Sequence, residues 1–220
     1  MSHFHKYPRT YHVPWSPGGT SDDRVLTDMN HFIGREIIVT EKLDGENTSI
    51  YSDHVHARSL DSKHHPSRTW VKVLQGQIGH EIPQGWRFCG ENVYALHSIE
   101  YRNLEAYFYV FGIYDSNNQC LSWNETIDYS AMLNLPTAPV LYRGPWDESK
   151  VKACWTGEST ASPGDQQEGY VVRIAESFPY DAQDDGLFSK FTAKYVRESH
   201  VQTSSHWMEQ EVIPNLLRNK

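Results

Sequence analysis

Cysteine is scarce in this sequence: Cys89, Cys120 and Cys154 lie far apart, are odd in number and form no CxxC pair. That argues against a disulfide framework and against a zinc knuckle, and leaves three reduced, structural thiols as the expectation. Long apolar runs are absent too. No stretch approaches the roughly 20 apolar residues that a membrane span needs. The opening residues, "MSHFHKYPRTYHVPW", have neither the apolar centre nor the small-residue cleavage site of a signal peptide. A cytoplasmic protein with no membrane partner is expected. Positive charge is also in short supply. The formal net charge is -8, which argues against binding nucleic acid through the overall field. A local basic track is still conceivable over residues 54 to 87, where Arg58, Lys63, Arg68, Lys72 and Arg87 face only Asp61 and Glu81, with five histidines between them. From charge alone that stretch reads as a solvated face. Repeats, low-complexity runs and long linkers are missing as well.

What is present is core-forming material: 38% hydrophobic and 13% aromatic residues in a chain of 220, enough for one large domain. The Pro- and Gly-containing stretch 13 to 23 reads as an irregular loop, and 24 to 33 as a short helix ending before Gly34. Strand patterns follow in "REIIVTEKL", "NTSIYSD" and "HVHARSL". A helix is expected over 67 to 82, where Trp70, Val71, Leu74 and Ile78 fall at helical spacing. "WRFCGENVYA", "AYFYVFGIYD" and "GYVVRIA" read as further strands, 124 to 135 as a helix stopped by Pro136, and the end of the chain as a short serine-capped helix. This mixture points to the α+β class rather than to regular βαβ alternation.

The polar residues at the strand ends carry the chemistry. Lys42 stands two residues before Asp44-Gly45, just after the apolar run 37 to 40. Asp-Gly is the two-residue turn of many hairpins, so a single Lys-x-Asp-Gly is a weak motif. Glu91 follows "RFCG", Glu168 precedes Gly169, and Lys190 and Lys194 lie in "FSKFTAKYVR". Each alone is an ordinary solvated strand end. Their order along the chain is the informative feature.

In that order the chain resembles the covalent lysine nucleotidyltransferase superfamily of ligases and mRNA capping enzymes, and most closely the ATP-dependent RNA ligases. "EKLDGEN" is similar to the family's nucleophile motif, "HARS" to the motif carrying a phosphate- or end-recognising arginine, and "FCGENVY" to the ribose-contacting motif. "YVFGIYD" resembles the strand whose aromatic covers the nucleobase, "EGYVVRI" the metal-associated motif, and "KFTAKYVR" the terminal lysine motif. Many relatives carry Lys-x-Lys in the last motif, whereas here Lys190, Lys194 and Arg197 are spaced differently; Lys194 is the preferred match.

The resemblance implies an α+β nucleotidyltransferase domain of the ATP-grasp-like ligase adenylation type, with antiparallel sheets and flanking helices; the 23 residues after Arg197 are too few for the OB-fold that many ligases carry there, so none is expected. One minimal domain is expected over 1 to 220: a lead-in segment (1 to 35), a motif-bearing core (36 to 198) and a C-terminal helix (199 to 220). It also implies ATP as the nucleotide, carried as AMP on Lys42, and Mg²⁺ or Mn²⁺ as the metal. RNA ends with a 5′-phosphate and a 3′-hydroxyl are the implied partners, with a separate RNA-binding protein as one way for so small an enzyme to hold them.

Each residue type suits its implied role. A lysine amine attacks phosphorus only when unprotonated, and burial beside other cations would lower its pKa. Lys42 is thus the expected nucleophile. Lys194, with Lys190, would stabilise charge on the phosphate oxygens. Arg58 would grip a phosphate of the nucleotide or of the RNA end through its planar fork. Glu168, with Glu91, would hold a hydrated divalent ion. Glu91 would also accept from the ribose hydroxyls, Phe111 would stack on the base, and Glu41 and Asn47 complete the expected nucleotide contacts. Asp44 and Gly45 are expected to shape their loop. His54, His56, His64 and His65 lack a recognised metal-ligand spacing, and Trp207 is expected to anchor the terminal helix. A DNA ligase, a GTP-dependent capping enzyme and a nucleotide- or RNA-binding module without chemistry are the alternatives.

Overall fold

Ile37, Ile38 and Val39 are β-branched and wholly buried, the signature of a strand covered on both faces. They sit on an interior strand of a five-stranded sheet in a computed structural model that describes residues 4–19, 22–61, 64–181, 184, 186–198 and 211–218. The strands in chain order are β1 (Tyr11–His12), β2 (Glu36–Lys42), β3 (Glu46–Ile50), β4 (Val55–Ala57), β5 (Arg87–Asn92), β6 (Phe108–Tyr114), β7 (Gln119–Cys120), β8 (Val140–Pro145), β9 (Gly169–Ile174), β10 (Phe178–Pro179) and β11 (Thr192–Val196). The helices are α1 (Thr69–Ile78), α2 (Trp123–Met132) and α3 (Glu148–Ala153).

One sheet runs β1-β11-β9-β2-β8 and the other β10-β7-β6-β5-β3-β4. All named pairings are antiparallel except that of β1 with β11. The α+β expectation therefore holds. Consecutive strands β2 and β3 belong to different sheets, so Asp44-Gly45 is not a hairpin turn but the crossing between sheets. Neither residue takes a positive φ. Gly45 is needed for space instead: a Cβ there would lie 2.5 Å from the Asn92 carbonyl oxygen.

Helix α2 begins where the sequence predicts, because Ser122 and Glu125 form a reciprocal capping box: the Glu125 N–H donates to Ser122 Oγ, and the Ser122 N–H donates to Glu125 Oε2. The expected helix over 24 to 33 is reduced to a single 3₁₀ turn at Asn30–Phe32. Its backbone goes elsewhere, since the Leu26 N–H donates to the His12 carbonyl and lines 24 to 26 up beside β1. Residues 211–218, expected within a terminal helix, are extended, with bridges from Pro214 to Ala95 and from Leu217 to Leu104. Lys63, residues 199–210 and with them Trp207 lie outside the described residues.

The basic stretch 54 to 87 does not form a surface track among the described residues. Arg87 is wholly buried with its guanidinium 4.0 Å over the Tyr114 ring, and Arg68 is buried in a two-pronged contact with Glu46. No described helix is long and apolar enough to cross a membrane.

Gly169 opens β9 with no room for a side chain, because a Cβ would meet the Tyr195 carbonyl of β11 at 2.0 Å. Gly169→Ala is expected to cost about 2 kcal/mol or more, read from denaturant melts; an unchanged midpoint would mean that the β9–β11 contact is looser than described.

Candidate active site

The pairing of β2, β9 and β11 determines which side chains share a face. Thr40 lies opposite Val171, which lies opposite Lys194, and Lys42 lies opposite Gly169. Side chains alternate along a strand, so Thr40, Lys42, Val171 and Lys194 project together. They form one wall of a cavity of about 540 Å³, the size of a small-ligand site. Asn47, Arg58, Glu91 and Phe111 reach the same cavity from β3, the end of β4, β5 and β6.

Glu168 is delivered by the loop between α3 and β9, and that loop is tied down residue by residue. Gln167 accepts from the Thr156 and Gly157 N–H groups and donates to the Cys154 and Gly169 carbonyls. Asp165 accepts from the Arg102 N–H and the Ser162 hydroxyl. Glu41 points away from Lys42, as its strand parity requires, and its buried Oε2 accepts from the Thr160 and Ala161 N–H groups at 2.8 and 2.9 Å. Glu41 thus touches the cavity but commits its carboxylate to the loop. Asp44 does similar work on the other side of Lys42, accepting from Ser98 N, Ser98 Oγ and Ile99 N. This is the loop-shaping role expected of it.

The result is an ion pair between a half-buried lysine and a buried carboxylate. Lys42 Nζ donates to Glu168 Oε2 at 2.6 Å, with Glu168 1% exposed. Burial opposes the charge on Lys42, but Glu168 and then Glu91 outweigh it, and the Lys42 pKa is raised. The expectation of a lowered pKa is therefore corrected for the ligand-free site: the closest charges are carboxylates. The lysine whose pKa falls is Lys194, through burial and then through Lys42. Burial pushes the Glu168 carboxyl up to about 7 and that of Glu91 up to about 8, with Lys42 opposing both shifts.

No group of three or more His, Cys, Asp or Glu side chains that could hold a metal converges among the described residues. The histidine stretch is occupied otherwise: Phe4 stacks on His54 at 4.1 Å, and His56 is buried. One buried and one half-buried carboxylate beside an ammonium do fit a hydrated divalent ion that completes its shell with water and ligand oxygens. Glu91 and Glu168 would hold it.

Of the other expected residues, Arg58 is half-buried at the cavity wall, its Nε 3.5 Å from the Tyr7 carbonyl. Phe111 meets the Tyr7 ring edge-on at 5.2 Å. Asn47 sits opposite Glu91 in the β3–β5 register and has a buried Oδ1 without a hydrogen-bond partner among the described residues. Lys190 is not brought in: it ends a 3₁₀ turn, is exposed and lies off the cavity lining. Arg197 likewise falls outside the lining.

Sequence reading missed the lead-in segment. Tyr7, Arg9, Asp22 and Asp23 line the cavity, and buried His12 stands opposite Lys194. It also missed Arg173, which lines the cavity while its guanidinium donates to the carbonyls of Ile174 and Leu121. The resemblance begins at residue 36, and nothing in composition marks the earlier residues as neighbours of β11.

A family model described as RNA ligase matches residues 35–196. Among solved structures, Naegleria gruberi RNA ligase with PPi superposes with a TM-score of 0.54 at 22% identity, covering 81% of this chain and 54% of that one. Mutants of the same ligase with ATP and Mn, and with AMP and Mn, each give a TM-score of 0.52 at 19% identity, covering 78% of this chain and 52% of theirs. The likeness establishes the fold, and the chain spans about half the length of these solved relatives. No curated protein sequence matches significantly.

The buried carboxylates make a pH-dependent prediction. A carboxyl whose folded pKa is raised stays protonated in the fold while the unfolded chain ionises, so it removes stability as pH rises from about 4.5 to 8. Glu91→Gln should escape this loss. In AMP-free protein its stability relative to the parent is expected to improve by about 1–3 kcal/mol between pH 5 and pH 8.5; a flat or opposite trend in thermal melts would contradict the assigned burial.

Proposed function

The chain belongs to the RNA ligase family, and from that premise we propose that it is an ATP-dependent RNA ligase that carries AMP on Lys42. The observation that supports this best is convergence: side chains from segments as distant as Lys42, Arg58, Glu91, Phe111 and Lys194 meet at one cavity, with Glu168 bonded to Lys42.

In this reading Phe111 and Tyr7 bound the base, Glu91 accepts from the ribose hydroxyls, and Asn47 Oδ1 finds its missing donor on the nucleotide. Lys42 Nζ loses its proton and attacks the α-phosphorus of ATP; an N–P bond forms, the bond to the bridging oxygen of the β-phosphate breaks, and pyrophosphate leaves. Glu168 and Glu91 would hold a Mg²⁺ or Mn²⁺, which would supply positive charge beside the phosphate oxygens. Burial and the neighbouring Lys194 oppose the proton on Lys42. Lys194 faces the charge that develops on the phosphate. Arg58 then grips the 5′-phosphate of the RNA, whose oxygen takes AMP from Lys42, and a 3′-hydroxyl displaces AMP to form the phosphodiester.

The test uses protein freed of AMP, Mg²⁺ and α-labelled ATP or GTP. Label from ATP that survives denaturation, absent in Lys42→Ala and formed about 100-fold more slowly in Lys194→Gln, is expected. Covalent label on Lys42→Ala would refute the central step, label from GTP would favour capping, and binding without covalent label would favour a module without chemistry.

A further inference from the structure

Lys42 and Lys194 share the cavity, and each faces a carboxylate, but the two carboxylates differ in origin. Glu168 lies within the family-matched span of 35–196, whereas Asp23 precedes it. Backbone pairing fixes where Asp23 sits. The Val13 N–H donates to the Lys194 carbonyl at 2.8 Å, and the His12 N–H donates to the Arg24 carbonyl at 2.7 Å. The chain just after Asp23 is thereby clipped to β1, and β1 to β11. Asp23 Oδ1 ends 3.5 Å from Lys194 Nζ and 3.5 Å from His12 Nε2.

His12 completes the arrangement without adding charge. It is 1% exposed, and burial together with Lys194 lowers its pKa to about 4, so its ring is neutral near pH 7. Its Nδ1 is 2.8 Å from Ser16 Oγ, which in turn accepts from the Val196 N–H. The ring is therefore fixed to β11 and turns Nε2 toward Asp23. Lys194 Nζ thus stands within the cavity with the Asp23 carboxylate facing it.

We propose that Asp23 is a built-in counter-ion for Lys194, which a nucleotide polyphosphate displaces on binding and which retakes Lys194 to expel pyrophosphate. The inference rests on the proposed contact between Lys194 and the phosphates. ATP brings a base and a ribose that hold it in the cavity, so it can take Lys194 from a single carboxylate. Pyrophosphate has lost that anchor once AMP is bonded to Lys42, and Asp23 then opposes it twice, by repelling its oxygens and by reclaiming the ammonium. Asp23 is a positioning residue in this scheme; it touches neither the α-phosphorus nor the nucleophile.

The experiment is calorimetric binding of inorganic pyrophosphate with Mg²⁺ to AMP-free protein, for Asp23→Asn, Asp23→Glu, Lys194→Gln and the Asp23→Asn/Lys194→Gln pair. Asp23→Asn is expected to bind pyrophosphate about fivefold more tightly, the equivalent of ~1 kcal/mol, and its ligation should be inhibited at correspondingly lower pyrophosphate. Asp23→Glu keeps the charge and should bind like the parent, and in the Lys194→Gln background the Asp23→Asn effect should vanish. If Asp23→Asn does not fold, Asp23→Ser takes its place. Unchanged or weaker binding by the neutral variant, while Lys194→Gln alone weakens binding, would overturn the counter-ion. An equal gain in Asp23→Glu would do the same by assigning the effect to packing. Unchanged binding in Lys194→Gln alone would remove the premise, and the inference with it.

Discussion

An ammonium and a carboxylate can be buried together only if both are held in register, because either one alone would be a costly buried charge. The pairing of β2 with β9 meets that condition for Lys42 and Glu168 by setting Lys42 opposite Gly169. Much of the surrounding structure serves this contact. Asp44 fixes the chain after Lys42 to Ser98 and Ile99, and Glu41 fixes the loop that delivers Glu168. The two acids beside Lys42 in sequence thus act on the backbone, and the acid that faces its amine comes from 126 residues away.

This division of labour explains how much could be read from sequence. The strand calling cards of β2, β5, β6 and β9 were plain, because apolar and aromatic residues in short runs have few other uses. Lys42, Glu91, Glu168 and Lys194 were legible only through the order of their motifs, each alone being an ordinary charged residue. Glu41 was harder to interpret: adjacent residues on a strand face opposite ways, and only the partner loop shows that its carboxylate is committed. The raised pKa of Lys42 beside Glu168 and Glu91 was not legible, because the order of motifs says which charges meet and not which are nearest. Asp23 and His12 were illegible, since their place depends on a two-residue strand whose partner lies some 180 residues further on.

The turn after Lys42 makes a related point about glycine. Asp-Gly predicts a hairpin through positive φ, and the chain uses it for closeness instead. At Gly45 and Gly169 alike the nearest obstacle to a side chain is a backbone carbonyl. Gly45 itself lines the cavity and Gly169 pairs with Lys42, so the crossing between sheets and the start of β9 are packed backbone against backbone where the charged side chains must be held still.

The parallel pairing of β1 with β11 also bears on how the molecule comes into being. His12 and Lys194 are neighbours in space yet belong to opposite ends of the described chain, and contacts of such long sequence separation form late and slowly. During synthesis Lys42 emerges well before either Glu168 or Lys194, so it spends that interval as an ordinary solvated lysine. The cavity and its charged lining are thus a property of the completed topology. A ligand that binds only there recognises the closed fold, and its binding energy stabilises both sheets and the lead-in segment together.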